Sequence, residues 1–563
     1  MRLAPDGTCG VSAPHASDEH RERKLASSRD LWKYLVLLFA IALFFFLSSS
    51  RAVLVFDDGI QLTSAMRVMA GQVVHRDFYY NYGPAELYIL AGLFKLFGPS
   101  VFVARLWRAF EAGWGAVLPY ILARRLSTRT VAAGVLVLSL FWLGSLGLMT
   151  SFSVWSTYLL LPLLRRGLPA SKAVLAGAMV GLTALFRYDT AVGLIGTHVV
   201  VMALAVCLRP EEWAPKVRSA AVALGWYLLG FALLFIPPAI AYLAVAPAHA
   251  MLHDVFIYNA KYYRLGRGLP FPRIHRANFA DIIVYAFPVF ICLGLYAGGR
   301  WWAGQRRPAT ARTPMPTWIF SLVAFSLLAA VMYSKGLVRT GAGPLYMTVA
   351  PCALIAAVLC ARLKEFAIAV RVGVVLLVVL FLMGGLSALW QQIRLGHSQR
   401  TSTLRWIVSP STQTPQPPFD RWCREKNPIT RGFCYVLDDD HIQTVEFIEQ
   451  HTRPGDTLYV GLPHHDRIWV ADNITYFATQ RLPATKWTQF EPLLQTRADI
   501  QREMKCELER SKPPYIVLDS EFDNSSEPNG SSLHSGVFLL DDYISSHYVF
   551  VQRFGEMTIL ERL

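Results

Sequence analysis

Between Leu31 and Trp390 the chain returns again and again to long runs of apolar residues with almost no charge. Runs of roughly 17–25 such residues are what an α-helix needs to cross a hydrocarbon core about 30 Å thick. They lie near 31–50, 101–123, 131–149, 152–164, 173–187, 190–208, 219–245, 279–299, 316–334, 343–361 and 367–390. The reading is a polytopic α-helical membrane protein with about eleven transmembrane helices. After Trp390 the pattern changes to mixed polar and apolar segments, which reads as a soluble tail.

Charge placement separates a membrane protein from a nucleic-acid binder. The net charge is +15, but the basic residues gather in short loops between apolar runs. Arg124/Arg125, Arg165/Arg166/Lys172, Arg209/Lys216/Arg218, Arg300/Arg306/Arg307/Arg312 and Arg362/Lys364/Arg371 all fall on one side when the runs are threaded alternately. That side is the cytoplasm by the positive-inside rule, and no nucleic-acid partner is implied. The polar arm 1–30 then starts inside. The first run reads as an uncleaved helix rather than a signal peptide, because "SSSRA" is a poor cleavage site. Residues 51–100 and 246–278 become outer loops, and 391–563 an extracytoplasmic α/β domain. This threading requires that "GPAELYILAGLFKLFG" (83–98) does not cross; bracketed by Gly-Pro breaks, it suits an interfacial or re-entrant helix.

In the tail, "HIQTVEFIEQHTRPGDTLYVGL" predicts an amphipathic helix, a turn and a strand. "PPYIVLDS" predicts a second buried strand after a helix around 496–510. The segment 520–536 is too polar to bury a core. The eight cysteines show no zinc-binding spacing. Cys423 and Cys434 could pair in an oxidising compartment.

Acids are scarce in the membrane part: of 39 in the chain, 11 lie between Leu31 and Trp390, whereas 23 follow it. Each therefore needs a reason. Asp57 and Asp58 follow the first run. A capping box of Asp58 with Gln61 accounts for one of them and leaves Asp57 for function. Asp77 sits in "VVHRDFYYNYGP" with His75, Arg76 and three tyrosines, either as part of a headgroup-level aromatic belt or as a binding group. Arg105, Arg108 and Glu111 share one helical face, and Arg108–Glu111 reads as a structural ion pair. Arg187 and Asp189 lie two residues apart, so on a helix each would point to a different partner. The second outer loop carries Lys261, Arg264, Arg267, Arg273 and Arg276 among tyrosines. Lys335 and Arg339 reach the same face. Basic groups on the outer side suit a phosphate at headgroup level or anionic lipid.

The acidic pair after the first helix, the following "AMRVMAG", the "HRDF", the Gly-Pro before an apolar stretch and "LFGPSVFVARL" together resemble the GT-C glycosyltransferases. Nearest among these are the protein O-mannosyltransferases (glycosyltransferase family 39-like) and aminoarabinose transferases of bacterial membranes. The resemblance is best over about 31–210. It implies an enzyme of the cell or inner membrane that moves a sugar from a polyprenyl-phosphate-linked donor to a lipid, glycan or protein acceptor on the outer side. It matches Asp57 to the family's base or acceptor-orienting acid and Arg105 to the arginine after the short apolar stretch. "VRTGAGPLY" (338–346) departs from relatives that carry an acid and a histidine there, which leaves a divalent cation open; no other cofactor and no metal ligand is implied. On this reading Asp57 is the base, Asp58 assists and Asp77 orients sugar or acceptor. Arg76, Arg105, Arg187, Lys261, Arg264, Arg267 and Arg339 are candidate donor or phosphate ligands. A lipid-linked glycan polymerase or ligase, and a transporter or flippase of lipid-linked sugars, are the competing readings. The transporter predicts matched halves, and none is visible.

Overall fold

The structure is a computed structural model and describes residues 28–49, 53–142, 147–165, 167–209, 212–273, 279–304, 315–340, 345–395 and 437–563. The expected Cys423–Cys434 pair and the arm before residue 28 lie outside these. In chain order the first part contains α1 (Ser28–Ser48), α2 (Asp57–Met69), α3 (Ala85–Phe97), α4 (Val101–Leu126), α5 (Arg129–Trp142), α6 (Gly147–Leu160), α7 (Ala170–Phe186) and α8 (Tyr188–Leu208). It continues with α9 (Trp213–Leu243), α10 (Ala248–Leu252), α11 (Arg264–Arg267), α12 (Phe279–Gly304), α13 (Thr317–Gly336), α14 (Val349–Ala361) and α15 (Ile368–Leu395).

Each apolar run of the sequence overlaps one or two of these helices, with shifted ends. Six stretches among the described residues are long and apolar enough to cross a membrane: Leu31–Ser48, Gly147–Leu164, Tyr188–Leu208, Trp213–Leu243, Thr317–Gly336 and Ile368–Ser387. α9 turns Leu228, Leu233, Ile236 and Ile240 outward, each exposed. A continuous apolar face of that size is stable against lipid, not water. α14, by contrast, is apolar all round and buried over nearly its whole length, the mark of a helix at the centre of a bundle. α3 is 13 residues long, about 20 Å at the helical rise, and falls short of a full crossing.

Where lipid surrounds the helices, packing rather than water exclusion holds them together, and small residues let backbones approach. α7 and α9 cross in this way. A Cβ on Gly177 would lie 1.8 Å from the Tyr227 carbonyl oxygen, and one on Gly230 would lie 1.9 Å from that of Val174.

Residues 248–267, expected within the outer loop 246–278, are helical. α10 runs through two π-helical turns, His253–Ile257 and Asn259–Tyr263, into α11. The physical reason lies in its breakers: Pro247 and Pro270 bracket the segment and no proline interrupts it.

The tail has helices α16 (Asp439–His451), α17 (Ile474–Thr479), α18 (Ala498–Ser511) and α19 (Leu539–His547). Its strands are β1 (Thr457–Gly461), β2 (Leu482–Pro483), β3 (Tyr515–Asp519), β4 (Tyr548–Phe554) and β5 (Met557–Arg562). They form one sheet in the order β2-β1-β3-β5-β4. β1 lies parallel to β2 and β3, whereas β5 is antiparallel to β3 and β4. The strands alternate faces as the pleat demands. Leu458, Val460, Val517 and Ile559 point into a core shared with Leu62 and Met66 of α2, Leu90 and Phe94 of α3, and Val101 of α4. Tyr459 and Ile516 point the other way, into a core with Met504, Leu508, Tyr79 and Tyr258. The segment 520–536 docks rather than hanging free: Asn529 Nδ2 donates to the Gly268 carbonyl at 3.1 Å.

Gly177→Leu is expected to drive α7 and α9 apart and to destabilise the detergent-purified protein by about 3 kcal/mol. Gly196→Leu in α8, where nothing lies within 4 Å of the added carbon, serves as the control. Thermal unfolding of both variants checks it; equal midpoints would contradict the crossing.

Candidate active site at the start of helix α2

The two adjacent aspartates have different surroundings. Asp58 is 4 % exposed. Its Oδ2 accepts the Leu54 N–H at 3.0 Å. Arg105 of α4 grips both oxygens, at 3.0 and 2.8 Å, and Arg108 Nη1 lies 3.2 Å from Oδ1. Burial pushes this carboxyl up, but the Arg105 hydrogen bonds, the charges of Arg108 and Arg105 and the Leu54 N–H outweigh it. The result lies below the usual carboxylate range.

Asp57, one residue earlier, is exposed, and among the described residues its side chain has no ion pair or hydrogen bond. The crowding around it and the neighbouring Asp58 charge raise its carboxyl, against the pull of Arg108 and Arg267.

The expected capping box is not formed. Phe56 caps α2 without a side-chain bond, and Gln61 turns to other work. Its carbonyl accepts from Arg108 Nε and Nη2 at 3.1 and 2.6 Å, and its amide donates to Glu86. Arg108 is thereby spent on Asp58 and Gln61 rather than on Glu111, whose Oε2 is buried without a hydrogen-bond partner. Helical spacing alone favoured the Glu111 pair; the packing of α4 against the first turn of α2 presents a nearer carboxylate.

Arg187 and Asp189 pair with each other, at 3.2 and 3.0 Å. The expectation of separate partners assumed a helix, whereas Arg187 is the extended hinge between α7 and α8 (φ −144°, ψ 96°). Lys335 Nζ also reaches Asp189, at 2.5 Å, and the Arg187 guanidinium lies 4.3 Å from the centre of the Tyr82 ring. Tyr82 feels both Arg187 and Asp57, so this cluster faces the same region as the exposed aspartate. Arg267 arrives from the end of α11, buried, with its Nε 2.8 Å from Glu491 Oε2 and its guanidinium 5.3 Å from the Phe56 ring centre. Arg339 grips Glu527 at 2.9 and 2.6 Å. Lys261 and Arg264 are exposed and have no carboxylate partner among the described residues.

Asp77 and Arg76 form a separate corner. Arg76 pairs with Asp77 at 2.8 Å, and Asp77 Oδ2 accepts the Val73 N–H at 2.7 Å, closing the turn. His75, left-handed at φ 64° and buried, contacts Asp254 at 3.1 Å. The structure therefore brings Asp57, Asp58, Arg105, Arg187 and Arg267 around one region and holds Asp77 and Arg76 in another set of contacts.

Sequence reasoning missed Arg67. It is fully buried in α2 and donates to the Thr485 and Asp77 carbonyls at 3.1 and 2.9 Å. Its signal was a lone arginine in "TSAMRVMAG" with no acid within a helical turn. It missed Glu491 and Glu527 as well, because their partners lie about two hundred residues away. Among the described residues no group of three histidine, cysteine or carboxylate donors close enough to share a cation lies around Asp57.

Neither a protein-family model nor a curated protein matches the sequence. Solved structures do match the fold. A crystal structure of ArnT from Cupriavidus metallidurans bound to undecaprenyl phosphate superposes with a TM-score of 0.52 at 15% identity, covering 95% of this chain and 98% of that one. The same protein in the apo state gives 0.52 at 14% identity, covering 95% and 99%. The chain thus shares its fold with these structures along almost its whole length.

Arg105→Met is expected to leave Asp58 buried with one cation instead of two and to cost about 3 kcal/mol near neutral pH. Asp58 is held below its unfolded value, so its stabilising pairing is complete above about pH 4 and is lost as pH falls through the folded value. Unfolding measured against pH should show a gap between wild type and variant that narrows on acidification.

Proposed function

We propose that the chain is a membrane glycosyltransferase that moves a sugar from a polyprenyl-phosphate-linked donor to an acceptor hydroxyl on the extracytoplasmic side of the cell or inner membrane. The observation that carries this reading is the division of the acid pair. One carboxylate is locked by two arginines, and the next is exposed, unpaired and raised. A hydroxyl is a weak nucleophile, and a carboxylate with raised basicity takes its proton more readily as the new bond forms.

The fold neighbour bound to undecaprenyl phosphate supports a lipid-linked donor here. In the proposed step the acceptor oxygen attacks the anomeric carbon and its proton passes to Asp57. The bond from that carbon to the donor phosphate breaks, and the polyprenyl phosphate leaves with the electron pair, inverting the centre.

Arg76, Arg105, Arg187, Arg267 and Arg339 all hold carboxylates. They reach a phosphate only by sharing or leaving these partners. First contact with the donor therefore falls to Lys261 and Arg264, the exposed cations of the α10–α11 helix. Asp58 positions α2, and Asp77 orients the 73–78 turn next to the Asp254 segment. The basic loops between apolar runs support this orientation, with the amino terminus in the cytoplasm and α2, the 246–278 segment and the tail outside.

Asp57→Asn should lower sugar transfer by about 100- to 10,000-fold and cause the polyprenyl-linked donor to accumulate in membranes, read by lipid profiling. Because the folded environment raises this carboxyl, its ionised form is disfavoured above its unfolded value. The variant should therefore melt no lower than wild type at pH 7. Unchanged transfer with intact expression would remove Asp57 from the mechanism, and a reporter fused after Trp390 that is active in the cytoplasm would overturn the orientation.

A further inference from the structure

The tail carries a buried group of donors for which the proposed sugar chemistry has no use. His441 in the first turn of α16, Asp519 at the end of β3 and Glu521 just beyond it offer one imidazole nitrogen and two carboxylate oxygens within 4.8 Å of one another. His441 and Asp519 are buried, 2 % and 0 % exposed, whereas Glu521 is open to solvent. Two atoms of the group, His441 Nε2 and Asp519 Oδ2, are buried with no hydrogen-bond partner. Native interiors rarely leave such atoms unsatisfied.

The other valences of the same side chains are occupied as they are around a bound metal. Asp438 Oδ1 takes His441 Nδ1 at 2.7 Å, the carboxylate–imidazole contact that fixes the tautomer and turns the Nε2 lone pair toward a cation. Asp519 Oδ1 accepts the Glu521 N–H at 2.9 Å, which orients that carboxylate. Buried Asp472 adds a further negative charge beside the imidazole, held by the Ile474 and Thr475 N–H groups at 2.7 and 3.2 Å.

A protonated His441 is the simplest competitor. Burial opposes the charged ring, but the Asp438, Asp472 and Asp519 carboxylates outweigh it and raise the imidazole to about 9, with Nε2 3.6 Å from Asp472 Oδ2. An ion binds there by displacing that proton.

We propose that His441, Asp519 and Glu521 form a binding site for a divalent transition-metal ion, with Asp472 balancing its charge. Imidazole plus carboxylates is a donor set that suits zinc, whereas magnesium and calcium are held by oxygen. Zinc bonds of about 2.0–2.1 Å require the donors to draw together, and the exposed Glu521 side chain is free to swing inward. The bound ion would tie α16 and β3 to the segment around Asp472. The next residue, Asn473, is bonded through its backbone to Val55 (3.0 Å) and Thr63 (2.7 Å) at the helix that carries Asp57. The site would thus staple the tail beneath that helix, whatever the membrane part transfers.

The test uses the full chain in detergent, stripped with a chelator and titrated with Zn²⁺ alone, with Mg²⁺ as comparison. Bound metal is read by elemental analysis after equilibrium dialysis, and the thermal midpoint is read with and without zinc. One zinc per chain is expected, with affinity at least about tenfold weaker in Asp519→Asn and Glu521→Gln and unchanged in Glu509→Gln on α18. Zinc should raise the midpoint of wild type but not that of Glu521→Gln, an exposed substitution that leaves the fold in place. Failure of wild type to retain zinc, wild-type affinity in both variants, or equal displacement by Mg²⁺ would overturn the assignment.

Discussion

The buried charge of Asp58 is the constraint around which the outer part of the molecule is arranged. A carboxylate removed from water without a partner costs several kcal/mol, a large share of a domain's stability margin. Two arginines one helical turn apart on α4 compensate it. This pairing pins the first turn of α2 to α4 and fixes the direction in which α2 leaves. Asp57 is placed by the same arrangement. It shares the helix terminus but is bonded to neither arginine, so the same residue type is shifted in the opposite direction one position earlier. Pairs of acids pushed apart in this way are a recurring basis for dividing structural and chemical roles.

The tail is the second support of α2. One face of its sheet completes the core that Leu62, Met66, Leu90 and Phe94 begin, and the 473–474 backbone passes so close that Gly59 has no room for a side chain; a Cβ there would meet the Ile474 nitrogen at 2.6 Å. Arg67, buried beneath, ties the same helix to Thr485 and to the 73–78 turn. The tail also supplies Glu491 and Glu527, which take up Arg267 and Arg339. Tail and membrane part therefore share hydrophobic cores and charges, and the local field near Asp57 depends on both.

Much of this architecture was legible in the sequence because it is local. Apolar runs gave the helices, Gly-Pro breaks marked α3, and alternation with a Pro-Gly-Asp turn gave β1 and β3. What was not legible is the choice of partner. Arg105 and Asp58 are 47 residues apart, and Arg339 and Glu527 are 188 apart; no spacing rule reaches across such distances. Helical-face reasoning misassigned Arg108 to Glu111 because a nearer acid came from another helix. It separated Arg187 from Asp189 because the hinge between two helices is extended. The exposed acid and the basic outer segment were found by composition; which cations stay unpaired needed the fold.

That last point bears on how the proposed site treats an anion. Counting basic residues in the segments expected outside suggests a strongly positive surface, yet Arg76, Arg105, Arg187, Arg267 and Arg339 each face a carboxylate. Their charges are largely neutralised at short range, and they serve first to position loops and helices. On the proposed function, an incoming phosphate would first meet Lys261 and Arg264, which have no carboxylate partner among the described residues and lie on a helix whose two π-helical turns break its regular ladder. The same neutralisation leaves Asp57 unpaired among the described residues, in a region that would otherwise hold it by ion pairing. A base must be near cations that stabilise a leaving phosphate and yet not be captured by them. Giving the arginines other acids to hold satisfies both requirements with one set of interactions.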